Sequence, residues 1–181
     1  EVSCDTYFYD LAYEMGIDKI SDYMSEFGFG DYTGIDLYEE SDANMPSRGW
    51  KRARYGQPWY AGETLSVGIG QSYWTATPMQ LAAATGVMAN NGEFVIPRLL
   101  RGYGTLDDMQ VVEPKYNQPV QVDKQSYWQV VHDAMVEVTS SIHGTAHSAF
   151  RHAPYTSAGK TGTAQVVNLG EDEEYVAEEV A

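Results

Sequence analysis

The sequence predicts an α/β chain of the α+β kind, with helices clustered against a few short strands. Three observations carry that expectation. Apolar residues recur at helical spacing near the N-terminus, a helix-start signal stands at residues 77–80, and β-favouring residues gather in short runs between 94 and 167. With 181 residues, 43% of them apolar and 13% aromatic, one core can be filled, which excludes a wholly disordered chain. The formal charge of −15 has the wrong sign for neutralising phosphates, so no nucleic acid is expected as a partner. No apolar run approaches the roughly 18 residues of a spanning helix, and the opening Glu1-Val2-Ser3-Cys4-Asp5 has no signal-peptide character, so the chain as given is expected to be soluble. The single cysteine, Cys4, excludes an internal disulfide and leaves the redox compartment open.

Phe8, Leu11, Ala12 and Met15 repeat at i, i+3, i+4, i+7 and predict a first helix that Gly16 ends. Ile20, Met24 and Phe27 predict a second, stopped by Gly28 and Gly30. From Asp31 to Thr64 no period persists, which predicts a long ordered loop carrying Arg48, Trp50, Lys51, Arg52 and Arg54. Thr77-Pro78-Met79-Gln80 combines a cap, a proline at the first helical position and a capping-box glutamine, and predicts a helix to about Ala89. After Asn90-Asn91-Gly92, the run Phe94-Val95-Ile96 reads as a short strand, followed by β-like pieces at Val111-Val112 and Val120 to Val122. Asp123 is a candidate cap for a helix that buries Trp128, Val131, Met135 and Val138 and breaks near Gly144. Tyr155 to Val167 reads as a strand whose Gly159 and Gly162 imply a close neighbour or ligand, and Glu171 to Glu174 open an acidic tail.

The most specific short string is Gly159-Lys160-Thr161-Gly162-Thr163. A phosphate-binding loop needs a glycine five residues before the Gly-Lys pair and a helix after it, but Pro154 and the strand-like Ala164 to Val167 stand there. Two readings remain at this point: an edge strand with a solvated lysine, or the Lys-Thr-Gly strand of serine acyl-transferases that handle penicillin. Ser3-Cys4-Asp5 before the first helix fits the Ser-x-Asp form of a second motif of that superfamily, against the plainer reading of helix caps. Cys4 is either a small buried hydrophobe or, if residues upstream complete the set, a thiolate metal ligand. His143, His147 and His152 lack the neighbouring glutamate of a zinc-protease motif and read as surface or core histidines, and no cofactor is expected. The basic run from Arg48 to Arg54 reads as a loop pinned by acidic neighbours.

Order and further motifs carry a resemblance. Ser-x-Asp precedes Lys-Thr-Gly by about 155 residues, and between them lie Gly68-Ile69-Gly70-Gln71, Thr75 to Ala82 and Ala89-Asn90-Asn91-Gly92, with Gly34-Ile35-Asp36-Leu37 and Gly144-Thr145-Ala146 besides. Residues 1 to about 168 resemble the transpeptidase domain of class B penicillin-binding proteins, and the surroundings of Ser3 together with Trp59-Tyr60 resemble its elongation-type members. The resemblance implies a partial penicillin-binding transpeptidase or serine β-lactamase-like fold, helices packed on an antiparallel sheet, with residues 1–181 forming its C-terminal portion, cut at both ends. It implies acyl transfer from D-alanyl-D-alanine stem peptides, β-lactams as mimics of that donor, a membrane-embedded cell-wall polymerase as partner, and a periplasmic position behind an upstream membrane anchor.

The residue roles come from the same resemblance. Ser3 would relay a proton, Asp5 would orient that network in a place where the family often has Asn, and Lys160 would supply positive field. Thr161 and Thr163 would bind the donor carboxylate, the Thr163 N–H would serve the oxyanion, and Gly162 would keep the strand open. The family's nucleophile belongs to a Ser-x-x-Lys motif upstream of Ser-x-Asp, no serine here is expected to substitute for it, and the chain alone is expected to be inactive. Two alternatives stand beside the transpeptidase: a D,D-carboxypeptidase or β-lactamase that passes the acyl group to water, and a non-catalytic penicillin-binding-like module.

Overall fold

The computed structural model describes residues 2–105 and 107–164. The expected helix pair is present as α1 (Asp5–Met15) and α2 (Ile17–Glu26), joined at Gly16, whose φ of +75° suits a residue without Cβ. Only part of the predicted α1 face is covered. Ala12 is 3% exposed, whereas Phe8 and Leu11 are 40% and 38% exposed. Ala12 faces α4 (Ala61–Gly68), where a Cβ on Gly68 would stand 2.3 Å from the Ala12 Cβ. Gly68 is therefore a packing glycine that lets two helices cross closely, as its neighbour Val67, fully buried, confirms.

The long loop expected from Asp31 to Thr64 contains α3 (Arg48–Tyr55) and the first turn of α4. Its signals are local and complete: Ser47 Oγ accepts the Trp50 N–H at 3.1 Å, Gly56 closes the helix in the left-handed conformation, and Arg52 and Arg54 sit in the last turn. The periodicity is hidden because the one buried residue of α3 is Lys51. Residues 31–46 do form a loop, tied by two of its carboxylates. Glu40 accepts the Thr33 and Gly34 N–H groups at 2.8 and 3.2 Å, and Asp36 accepts those of Leu99 and Leu100 at 2.6 and 2.9 Å.

α5 (Pro78–Ala89) begins with the predicted capping box: Thr77 Oγ1 accepts the Gln80 N–H, and Gln80 Oε1 accepts the Thr77 N–H. Gln80 is fully buried, and its Nε2 donates to the carbonyls of Asp31 and Asp42 at 2.8 Å each, so every polar atom of the amide is used. The sheet content is small and partly displaced from expectation. β1 (Gly102–Gly104) pairs antiparallel with β2 (Met109–Val111) in the register Gly102 to Val111, while Val112 lies just beyond. Phe94-Val95-Ile96 makes an isolated bridge between Val95 and Tyr116, and Val120 donates its N–H to Gly92 without forming a strand.

α6 (Ser126–Ser140) starts three residues after Asp123, the expected cap, and buries Trp128 and Val138 but leaves Val131 38% exposed. Trp128 packs edge-on against Phe27, joining α6 to the core formed by Ile17, Ile20, Val67 and Val87. α7 (His147–Phe150) is one short turn. Residues 155–164 form no strand; the rest of that expected strand, 165–167, and the acidic 171–174 lie outside the described residues. Instead, this segment leans on α6. The Gly159 N–H donates to the Met135 carbonyl at 3.0 Å, and Thr139 Oγ1 donates to the Ser157 carbonyl at 2.6 Å.

Candidate functional site

Ser3 and Lys160 are 157 residues apart in sequence, and the fold brings them together: Lys160 Nζ donates to Ser3 Oγ at 2.7 Å and to the Thr161 carbonyl at 2.6 Å. Ser3 is half-buried with φ of +49°, a conformation that costs a residue with a Cβ on the order of 1 kcal/mol. Its side chain is not spent on the helix start. Cys4 is the N-cap of α1 and no side chain caps it, so neither Ser3 nor Asp5 fills the capping role that competed for them. Cys4 is exposed, which corrects the expectation of a small buried hydrophobe. Among the described residues no group of three or more His, Cys, Asp or Glu is placed to hold a metal.

The Lys160 ammonium has neutral oxygens as partners and no carboxylate among the described residues, and it is exposed. Thr161 Oγ1 bonds Thr145 Oγ1 at 2.8 Å. Gly162 faces open space among the described residues, none of which beyond its chain neighbours comes within 4 Å of where a Cβ would stand, and Thr163 beside it is exposed. The structure thus joins Ser3, Lys160 and Thr161, lays Gly162 and Thr163 open next to them, and leaves the exposed Asp5 carboxylate without a bond to either Ser3 or Lys160. An exposed cation beside an open backbone edge and a hydroxyl is an arrangement that receives a carboxylate.

Two features escape the sequence reading. Gly144-Thr145-Ala146 is noted there only as a resemblance, yet Thr145 touches the site directly. And one serine does have a lysine at Ser-x-x-Lys spacing, since Ser157 stands three residues before Lys160. That spacing aligns two side chains on one face only in a helix, and this segment forms no helix. Their bonds run separately as well: the lysine reaches Ser3, while the Ser157 carbonyl is held by Thr139.

The predicted basic run is pinned by acids as expected, at two depths. Arg48 pairs with Asp18 at 3.2 Å on the surface. Lys51, 1% exposed, is ion-paired with Glu63, and its Nζ lies 4.6 Å from the Tyr60 ring centroid and 5.6 and 5.8 Å from those of Tyr73 and Trp59. Burial pushes the Glu63 carboxyl up, but the hydrogen bond from Lys51, the Tyr60 N–H and the Lys51 charge outweigh it and hold Glu63 below its ordinary value. A cavity of about 590 Å³ lies beside this corner, lined by Tyr13, Arg48, Arg52, Trp59 and Thr64 among others, and none of the candidate site residues lines it.

The chain matches over residues 1–181 the family model described as the penicillin binding protein transpeptidase domain. It is 48% identical over its whole length to the peptidoglycan D,D-transpeptidase MrdA of Escherichia coli strain K12, and covers 29% of that protein. A solved structure of Pseudomonas aeruginosa PBP2 in complex with WCK 5153 is 44% identical, with a TM-score of 0.80 over 90% of this chain and 36% of that one. A structure titled for the coordination of polymerization and crosslinking by a peptidoglycan synthase complex is 32% identical, with a TM-score of 0.74 over 89% of this chain and 26% of that one. The chain therefore spans less than a third of the length of the MrdA it matches.

Proposed function

The chain belongs to the penicillin-binding protein transpeptidase family, and on that premise we propose that it supplies the C-terminal part of a peptidoglycan D,D-transpeptidase of the elongation type. The observation that carries this reading is the Lys160 ammonium, bonded to Ser3 Oγ at 2.7 Å, without a carboxylate partner among the described residues, beside the open Gly162. In the complete enzyme a serine upstream of this chain attacks the carbonyl of a D-alanyl-D-alanine stem, the carbon–nitrogen bond breaks, and the acyl group remains on the serine until an amine of a neighbouring stem takes it. Ser3 carries a proton to the leaving nitrogen, a task for a hydroxyl that donates and accepts. Lys160 biases that transfer with its charge, and Thr161 and Thr163 hold the donor carboxylate. Gly162 leaves room for the substrate along the segment, the Thr163 N–H faces the developing oxyanion, and Asp5 orients the Ser3 side of the network once substrate is bound.

β-Lactams acylate the same serine as mimics of the donor. The enzyme works at the periplasmic face of the cytoplasmic membrane, held by an anchor outside this chain, beside a membrane-embedded cell-wall polymerase; the family resemblance of a peptidoglycan synthase complex supports that partnership. Incubation with a fluorescent penicillin followed by mass spectrometry tests the reading. The full-length protein takes up one equivalent at a serine upstream of Ser3, and the 181-residue chain takes up none. An adduct on Ser157 of the isolated chain would make the Ser157–Lys160 pair the nucleophile and overturn this assignment.

A further inference from the structure

Thr145 meets the site through its hydroxyl bond to Thr161, and the way it is held points to a use. It follows Gly144, where a Cβ would stand 2.3 Å from the Glu137 carbonyl and 2.4 Å from that of Val138, so the turn is pressed onto the end of α6 at a distance only glycine permits. One backbone bond ties it to α6, Ala146 N–H to Val138 O at 3.0 Å, and two more close the turn, Gly144 N–H to Ser141 O at 2.9 Å and His147 N–H to Gly144 O at 3.0 Å. The segment that carries Thr161 is tied to the same helix through Gly159 and Ser157. Helix α6 therefore holds both ends of the 2.8 Å hydroxyl pair, Thr145 from its C-terminal turn and Thr161 from its side.

A threonine hydroxyl has one proton to give and can accept at the same time. If Thr161 gives its proton to an incoming carboxylate, the bond to Thr145 survives only with Thr145 as donor and Thr161 Oγ1 as acceptor. That direction polarises the Thr161 O–H toward the ligand and fixes its rotor before the ligand arrives. We propose that Thr145 is a positioning residue that orients the Thr161 hydroxyl for the carboxylate of the acyl donor. This deepens the transpeptidase reading and rests on it.

The test uses the full-length protein and two probes, benzylpenicillin and its methyl ester, which differ only at the carboxylate. Thr145→Val keeps the shape and removes the hydroxyl, and Thr145→Ser keeps the hydroxyl. Thr145→Val is expected to lower the second-order acylation rate constant for the acid about three- to tenfold, to leave that for the ester unchanged, and to leave the melting temperature in place. Thr145→Ser restores the rate for the acid. An equal loss on acid and ester, a loss that serine does not restore, a loss that follows a fall in melting temperature, or no loss at all would each overturn the positioning role. A wild-type protein that neither probe acylates would instead overturn the transpeptidase reading, and this role with it.

Discussion

Lys51 and Lys160 occupy opposite kinds of surroundings. Lys51 lies 1% exposed between α3 and α4, with the Glu63 carboxylate as its counter-charge and three aromatic rings within 5.8 Å of its ammonium. Its charge is fully answered inside the fold, so it can serve packing but no ligand. Lys160 is exposed and bonded to a hydroxyl and a carbonyl, both neutral, with the open Gly162 two residues on. Among the described residues no carboxylate answers its charge. The contrast separates a lysine that holds the structure together from one that the structure holds ready, and lysine content alone distinguishes neither.

The largest effect expected from breaking this contrast is on stability. Lys51→Ala leaves the Glu63 carboxylate partly buried without its cation and should cost about 3–5 kcal/mol in urea denaturation of the full-length protein. Lys51→Met removes the same charge but fills the same space, so its cost measures the lost ion pair, and the extra loss in Lys51→Ala measures the lost packing. Next comes Lys160→Ala, with the opposite signature. Removing a charge-assisted interaction worth about 1.5–3 kcal/mol should slow acylation by penicillin roughly tenfold or more, with stability changed by about 0.5 kcal/mol at most. Combining it with Ser3→Ala should lose less than the product of the two single effects, since one bond joins them; independent effects would mean that the bond plays no part in acylation.

The smallest effect is a pH dependence confined to the packed corner. Because the folded protein holds Glu63 below its ordinary value of 4.5, its contribution to stability is present above that value and is lost as pH falls through the lower folded value. Denaturation midpoints followed downward from about pH 5 should therefore fall more steeply for wild type than for Glu63→Gln. Equal slopes would show that the Lys51 bond does not stabilise the ionised carboxylate.

Much of this was legible in the sequence where the signal is local. The α1–α2 pair, the Thr77 to Gln80 capping box and the Lys-Thr-Gly string with its distant Ser-x-Asp partner all depend on residues a few positions apart or on a motif that names its own chemistry. α3 escaped because its single buried residue is a lysine, so the apolar period that betrays a helix is missing. The strand expected from Tyr155 failed over 155–164 for another reason: β-propensity describes fit to a sheet, and here the neighbour is helix α6.

The sequence by itself determined the fold class, the helix termini that carry their own caps, and the residue types available for the chemistry, because each of these follows from spacing over one or two turns or from a short motif. Tertiary structure alone decided that Gly68 serves a helix crossing, that Lys51 is buried while Lys160 is exposed, that Ser3 bonds Lys160 and caps nothing, and that Thr145 reaches Thr161. The physical reason is one of range. A hydrogen bond acts only within about 3 Å, and whether two groups 157 residues apart come that close depends on how every helix between them packs.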